Sequence, residues 1–334
     1  MRVRASVAKT SCITTHAAQV IIVPVMSGPR DESVRNPSVR LPAVAGMFYP
    51  AEAQACREAA TQLLNTVRLA VAQAAAVIGQ EPGLGAIVPH AGWICSGAIA
   101  AESILALATQ RPDVDLVVVF GAIHTPIKID CAVFDSHERW SVPGGEFAVT
   151  VPLRAELSAG SQLFVTDDRF HFREHAVEVE LPLIQAAWPR ARILPVEVPP
   201  EIAAVEIGKV VARAVSAAGL SAVFLASSDL THYGTNYRFT PAGVGRMAMA
   251  WALDNDRRIL RVVTDMTPEK IVPEVKTHNN ACGAGAIAAM MSACLERGAK
   301  KALVLRHASS YQTLATVAPQ PPDNAVGYAA VWVG

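Results

Sequence analysis

The feature that most limits what this chain can fold into is a set of short apolar runs, each leading into a polar, titratable residue. AVFLASSDLTHYG, from Ala222 to Gly234, is the clearest. Ala222–Ala226 is apolar and partly β-branched, which reads as a strand buried on both faces. It stops at Ser227 and Ser228, and Asp229, His232 and Tyr233 follow at once. GAIVP leads into His90, LVVVFGAI into His124 and ALVLR into His307 in the same way. An open α/β sheet presents its site in the crevice beyond the carboxyl ends of its strands. With those strands parallel in one sheet, short loops would bring the imidazoles to one rim.

This pattern predicts a single α/β domain over residues 41–334, with a central mostly parallel or mixed sheet and helices on both faces. Strands are expected near 84–89, 115–121, 191–198, 222–227 and 302–307, and a hairpin at WSVPGGE. Long helices are expected over Glu52–Ala76, from an N-cap at Ser96 to Ala108, and over Glu174–Trp188. Others fall at 201–218, near 241–263 and 267–276, and behind a cap at Asn280, closing at Gly298. Residues 1–37 differ. They hold no acidic residue before Asp31, and their one apolar run, Val20–Met26, is broken by Pro24. They read as a disordered or mis-started N-terminal extension.

Several function classes are disfavoured. The formal net charge is zero and no Lys/Arg run occurs, which argues against a nucleic-acid partner. No apolar run approaches the roughly eighteen residues of a membrane span. Six scattered cysteines with no C-x-x-C suit a reduced cytoplasmic protein without structural zinc. Phosphate-loop, dinucleotide-binding and nucleophile-elbow motifs are absent.

The candidate chemistry lies at the strand ends. Neutral imidazole is the commonest metal ligand, and His90 and His124 both sit in loops behind strands. Two histidines plus an oxygen or sulfur donor, with open positions, suit mononuclear iron or catalytic zinc sites, and Asp229 or Glu178 could supply the oxygen. Cys282, read in the first turn of a helix, is a candidate ligand or nucleophile, since a helix N-terminus favours thiolate. His175 and Glu178, at i and i+3 on the expected helix, suit a proton-transfer or supporting pair. His16, His137, His171 and His278 read as surface, and Cys12, Cys56, Cys95, Cys131 and Cys294 as inert.

AGMFYPAE, IVPHAGWICSG, GAIHTP, WSVPGGEFAV, HAVEVELPLI, SSDLTHYG, NNACG and VGYAA, in that order, resemble the Memo family, which includes the AmmeMemoRadiSam system protein B type. The resemblance runs from about Leu41 to the C-terminus. It implies a fold like that of the class III extradiol dioxygenases of the LigB type. It implies a metal-binding or catalytic set of His90, His124 and Cys282, with Asp229 and His232 beside them and His175 and Glu178 on an H-x-x-E motif. It also implies Fe(II) or Cu, redox activity and, by analogy with animal members, peptide binding. Many relatives carry two adjacent histidines where this chain has His124 and Thr125, and His307 lies outside the family motifs.

The leading expectation is therefore a metal-dependent, dioxygenase-like oxidoreductase. His90, His124, Cys282 and Asp229 would serve the metal, and His175, Glu178 and His232 would handle protons. Alternatives are a non-catalytic metal- or peptide-binding module using the same pocket, and a metal-assisted hydrolase. The expected partner is a small molecule or peptide, and a radical-SAM pathway protein is a further candidate.

Overall fold

The strands form where long apolar runs leave no polar residue to face water. The computed structural model describes residues 38–319 and 321–334, so the expectations for residues 1–37 lie outside the described residues. The strands are β1 (Val39–Arg40), β2 (Gly85–Val88), β3 (Leu116–Gly121), β4 (Ala132–Phe134), β5 (Arg139–Val142) and β6 (Gly145–Ala148). Then come β7 (Phe164–Thr166), β8 (Arg192–Glu197), β9 (Ala222–Ser227), β10 (His232–Gly234), β11 (Ala302–Ser309) and β12 (Asn324–Val333). Among the described residues nine strands form one mixed sheet. Its centre is a parallel block, β2–β9–β3–β8, with Val88 opposite Ser227, Phe120 opposite Ala226 and Gly121 opposite Glu197. β12 closes the β2 side antiparallel and also pairs with β10 and β11. β4 and β7 extend the β8 side. The sheet is the α/β architecture expected, and all five anticipated strands belong to it.

Every residue of β2, β3 and β9 is buried, which explains why these strands read as continuous rather than alternating apolar runs. Strand pleat still divides the side chains between two cores. Val118, Phe120 and Phe224 pack with Ile207, Val211, Ile287 and Met290 of the helices Ala204–Ala217 and Ala284–Glu296. Val117, Val119, Val223 and Leu225 pack with Leu64, Ile104 and Ile184 of the helices Ala53–Thr66, Trp93–Gln110 and Leu181–Ala187. A side chain at Gly208 would meet the main chain of Ala289 at 2.0 Å, so the first pair of helices touches backbone to backbone there. Phe120 is wholly buried, and truncating it to Ala is expected to remove about 3–5 kcal/mol.

A small separate sheet, β1–β5–β6, holds the expected hairpin, turning at Gly144 with φ +92. Several helix boundaries differ from the sequence reading. The helix expected over Glu52–Ala76 divides at Val67 into Ala53–Thr66 and Arg68–Ile78, with the Glu52 carboxylate capping the first. The next helix starts at Trp93, ahead of Ser96, whose hydroxyl donates back to Ala91 O. It reaches a length and hydropathy compatible with a membrane span, which the sequence reading did not anticipate, but most of that window is buried in the fold, as in a core helix.

The expected helix Glu174–Trp188 shrinks to a single 3₁₀ turn, Glu178–Glu180, followed by Leu181–Ala187. Upstream of it the Glu174 carboxylate takes the main-chain N–H groups of His175 and Ala176, which fixes a turn instead of a first helical turn. Asn280 is not a cap. Its amide donates to Asn255 O and Glu274, and the helix begins at Ala284. His171 is buried rather than on the surface.

Candidate metal centre

The parallel block delivers its loops side by side. β2 ends at Val88 and the chain reaches His90; β3 ends at Gly121 and reaches His124; β9 ends at Ser227 and reaches Asp229. His175 arrives from the turn ahead of the 3₁₀ segment. One ligand atom from each of His90, His124 and His175 falls within a group whose members all lie within 4.8 Å of one another. The His124 and His175 rings stack at 4.6 Å between centroids, and His90 stands edge-on to both at 5.2 and 5.1 Å. His90, His124, His175, Asp229, His232 and Tyr237 help to line one cavity of about 480 Å³.

Each ring is held from behind. His90 Nδ1 lies 2.9 Å from Ser227 Oγ, and its main-chain N–H donates to Asp229 Oδ1 at 2.9 Å. His124 Nδ1 is 2.8 Å from Glu174 Oε1, while its main-chain N–H donates to Glu174 Oε2 at 2.7 Å. His175 Nδ1 lies 3.3 Å from the same Oε1, and its ring packs 4.9 Å from Phe48. A carboxylate or hydroxyl on the far nitrogen orients an imidazole and leaves its other nitrogen for a metal. That donor set fits a mononuclear ion.

Burial depresses His90, and its imidazole neighbours add to that. Burial and the charge of His124 bring His175 down to about 4. Burial opposes the charged form of His124 too, but hydrogen bonds to Cys282 and Glu174 outweigh it and push this group up to about 11. Burial would raise Glu174, yet its bonds to His124 and to main-chain N–H groups hold it down at about 2. Burial lifts Asp229 to about 7 against the His90 N–H that favours its charge. The metal-free cluster thus has two neutral imidazoles and one imidazolium–carboxylate pair.

Cys282 points toward the histidines and not into the core. Its Sγ lies 3.3 Å from His90 Nε2 and accepts the Asp229 N–H at 3.3 Å. It sits two residues ahead of Ala284 rather than in the first helical turn, so the expected helix-terminus effect does not apply as stated. Asp229 is buried with Oδ1 taken by His90 N–H, which makes it a brace for that loop. His232 lines the cavity with Nδ1 3.0 Å from Leu230 O and its ring against Tyr237.

Two expected residues lie elsewhere. Glu178 is wholly buried, and its oxygens accept from Arg40, Ala43 N, Val44 N and Tyr49 OH at 2.7–2.9 Å. His307 lies within β11 and pairs with Asp256 at 2.9 Å. Three of the four strand-borne histidines, His90, His124 and His232, therefore meet at one cavity, and His307 does not. Glu174 was missed. Its only sequence signal is an acid immediately before a candidate histidine.

A sequence model of Memo-like proteins matches residues 40–332. The chain is 33% identical over 299 residues to a MEMO1 family protein of Methanococcoides burtonii, spanning 88% of this chain and 100% of that relative. It is 32% identical over 301 residues to a MEMO1 family protein of Methanosarcina acetivorans, spanning 88% and 99%. It is 29% identical over 301 residues to one of Pyrococcus horikoshii, spanning 87% and 98%.

Proposed function

The chain belongs to the Memo family, and on that premise we propose that it is an oxidoreductase working with one Fe(II) or Cu ion at His90, His124 and His175. The observation that carries this reading is the cluster of three imidazoles whose far nitrogens are engaged by Ser227 and Glu174. An ion held there would supply a redox couple and open coordination positions for a small organic substrate. Cys282, beside His90, is placed to join the ligands, and a sulfur donor favours a redox-active metal over hydrolytic zinc. Glu174 orients His124 and balances its charge. His232 is the proton-handling group on the cavity wall: with Nδ1–H directed at Leu230 O, its Nε2 can accept a proton, and burial keeps the ring neutral. Cys56, Cys95, Cys131, Cys282 and Cys294 are free thiols, which supports work in the reducing cytoplasm.

The test is anaerobic loading with Fe(II), Cu(I) or Zn(II), desalting and elemental analysis, followed by a substrate screen under O₂. One iron or copper per chain, with O₂ consumption on a small organic substrate, is expected. Wild-type protein that retains no metal yet binds a peptide or organic ligand would establish a recognition module in its place. Zinc retention with ester or amide cleavage would establish a hydrolase.

A further inference from the structure

Glu180 is fully buried, and among the described residues no cation pairs with it and its Oε2 has no hydrogen-bond partner. An acid in such surroundings is expensive to keep charged, so its presence needs a reason. Its other oxygen lies 3.4 Å from Ser227 Oγ. The same hydroxyl is 2.5 Å from Ala176 O and 2.9 Å from His90 Nδ1. A hydroxyl offers one proton and two acceptor lone pairs. Ala176 O can only accept and makes the shortest contact, so it takes that proton. His90 must then donate to Ser227 through Nδ1–H, and the longer Glu180 contact, 3.4 Å, fits a carboxylic O–H facing the hydroxyl. Burial, reinforced by the Asp229 charge, pushes the Glu180 carboxyl well above the usual carboxylate range, in keeping with a neutral acid.

We infer that Ser227, with a neutral Glu180 behind it, is a positioning residue that locks His90 in its Nδ1–H tautomer and leaves the Nε2 lone pair facing Cys282 and the metal cluster. The order is carboxyl to hydroxyl to imidazole, set one layer behind the ring. The consequence for metal affinity rests on the metal reading above, whereas the tautomer does not.

The test uses the full chain with ¹⁵N-histidine labelling and two-bond ¹H–¹⁵N spectra of the metal-free protein. Wild type and Glu180→Gln should show His90 as Nδ1–H, because a Gln amide still donates to Ser227. Ser227→Ala should shift His90 toward Nε2–H, while Ser227→Thr restores the wild-type pattern; Glu180→Leu, which leaves the Ser227 proton directed at Ala176 O, should keep Nδ1–H. Fe(II) or Cu(I) dissociation constants should rise about tenfold to a hundredfold in Ser227→Ala, and stay within about threefold of wild type in Glu180→Gln. A wild-type protein with His90 as Nε2–H would overturn the inference. So would a Glu180→Gln variant shifted like Ser227→Ala, since the acid would then act through its charge. If Glu180→Leu does not fold, the contrast of Glu180→Gln with Ser227→Ala decides alone. Should wild type bind no metal, the proposed function fails, and the tautomer readout still stands or falls by itself.

Discussion

Two buried polar clusters share the segment 174–180, and they differ in what they leave unused. Around Glu178 almost everything is satisfied: its two oxygens take four donors, and Arg40 spends the rest of its guanidinium on His171 O and Glu174 O while its face lies 4.1 Å over Trp140. Around Glu174 the carboxylate is equally well bonded, but the rings it holds keep nitrogens turned toward one another and a cavity. A polar cluster that closes on itself fixes a fold; one that leaves donor atoms pointing at a common space can hold something there. The first cluster supports the second, because Arg40 ties down the main chain at Glu174.

The largest test of that contrast is to break the closed cluster. Glu178→Ala strands the Arg40 charge in the interior, and removing one member of a buried pair costs about 3–5 kcal/mol. Denaturant unfolding should show the midpoint falling at unchanged slope. His175→Ala, in the open cluster, should do the reverse. Elemental analysis is expected to show stoichiometric Fe or Cu lost, with stability changed by about 1 kcal/mol or less, since this ring is neutral and partly solvated. A His variant as unstable as Glu178→Ala would erase the distinction drawn here.

Glu174→Gln sharpens the comparison on a smaller scale. It keeps the size of the side chain and much of its bonding but removes the charge facing His124. Metal affinity should weaken about tenfold to a hundredfold by competition titration, with the fold retained. An unchanged affinity would mean that the carboxylate orders the turn and nothing more.

How far this was readable from sequence depends on the kind of residue. β3 and β9 were legible because wholly buried strands carry unbroken apolar runs, and His90, His124 and His232 followed because parallel neighbours put their loops together. His307 escaped that rule for a topological reason: β12 stands between β11 and β2, and the histidine lies inside its strand. The segment REHAVEVE carries three acids that look alike along the chain. Only contacts with distant residues sort them: Glu174 to His124, Glu178 to Arg40 across 138 positions, and Glu180 to Ser227. The helix that local periodicity predicted there gives way where the Glu174 carboxylate takes the His175 and Ala176 N–H groups.

A separate, pH-dependent effect belongs to Glu197, which lies outside both clusters. It is wholly buried; among the described residues neither of its oxygens has a hydrogen-bond partner, and His171 Nδ1, likewise unpartnered among them, stands 3.6 Å away. Burial pushes its carboxyl well above the usual range, and the charge of Glu174 adds to the shift. A folded-state value above the unfolded one contributes stability that is complete below about pH 4.3 and is lost as pH rises toward the folded value. Neutral Gln cannot titrate, so Glu197→Gln should match wild type to within about 1 kcal/mol near pH 4. It should lack this part of the decline at higher pH, which for one group is at most about 1.4 kcal/mol per pH unit. Urea unfolding at pH 4, 6 and 8 measures both slopes. Parallel slopes would show that Glu197 is charged in the folded protein, held by partners other than those seen around it, and would place it with Glu178 among the satisfied acids.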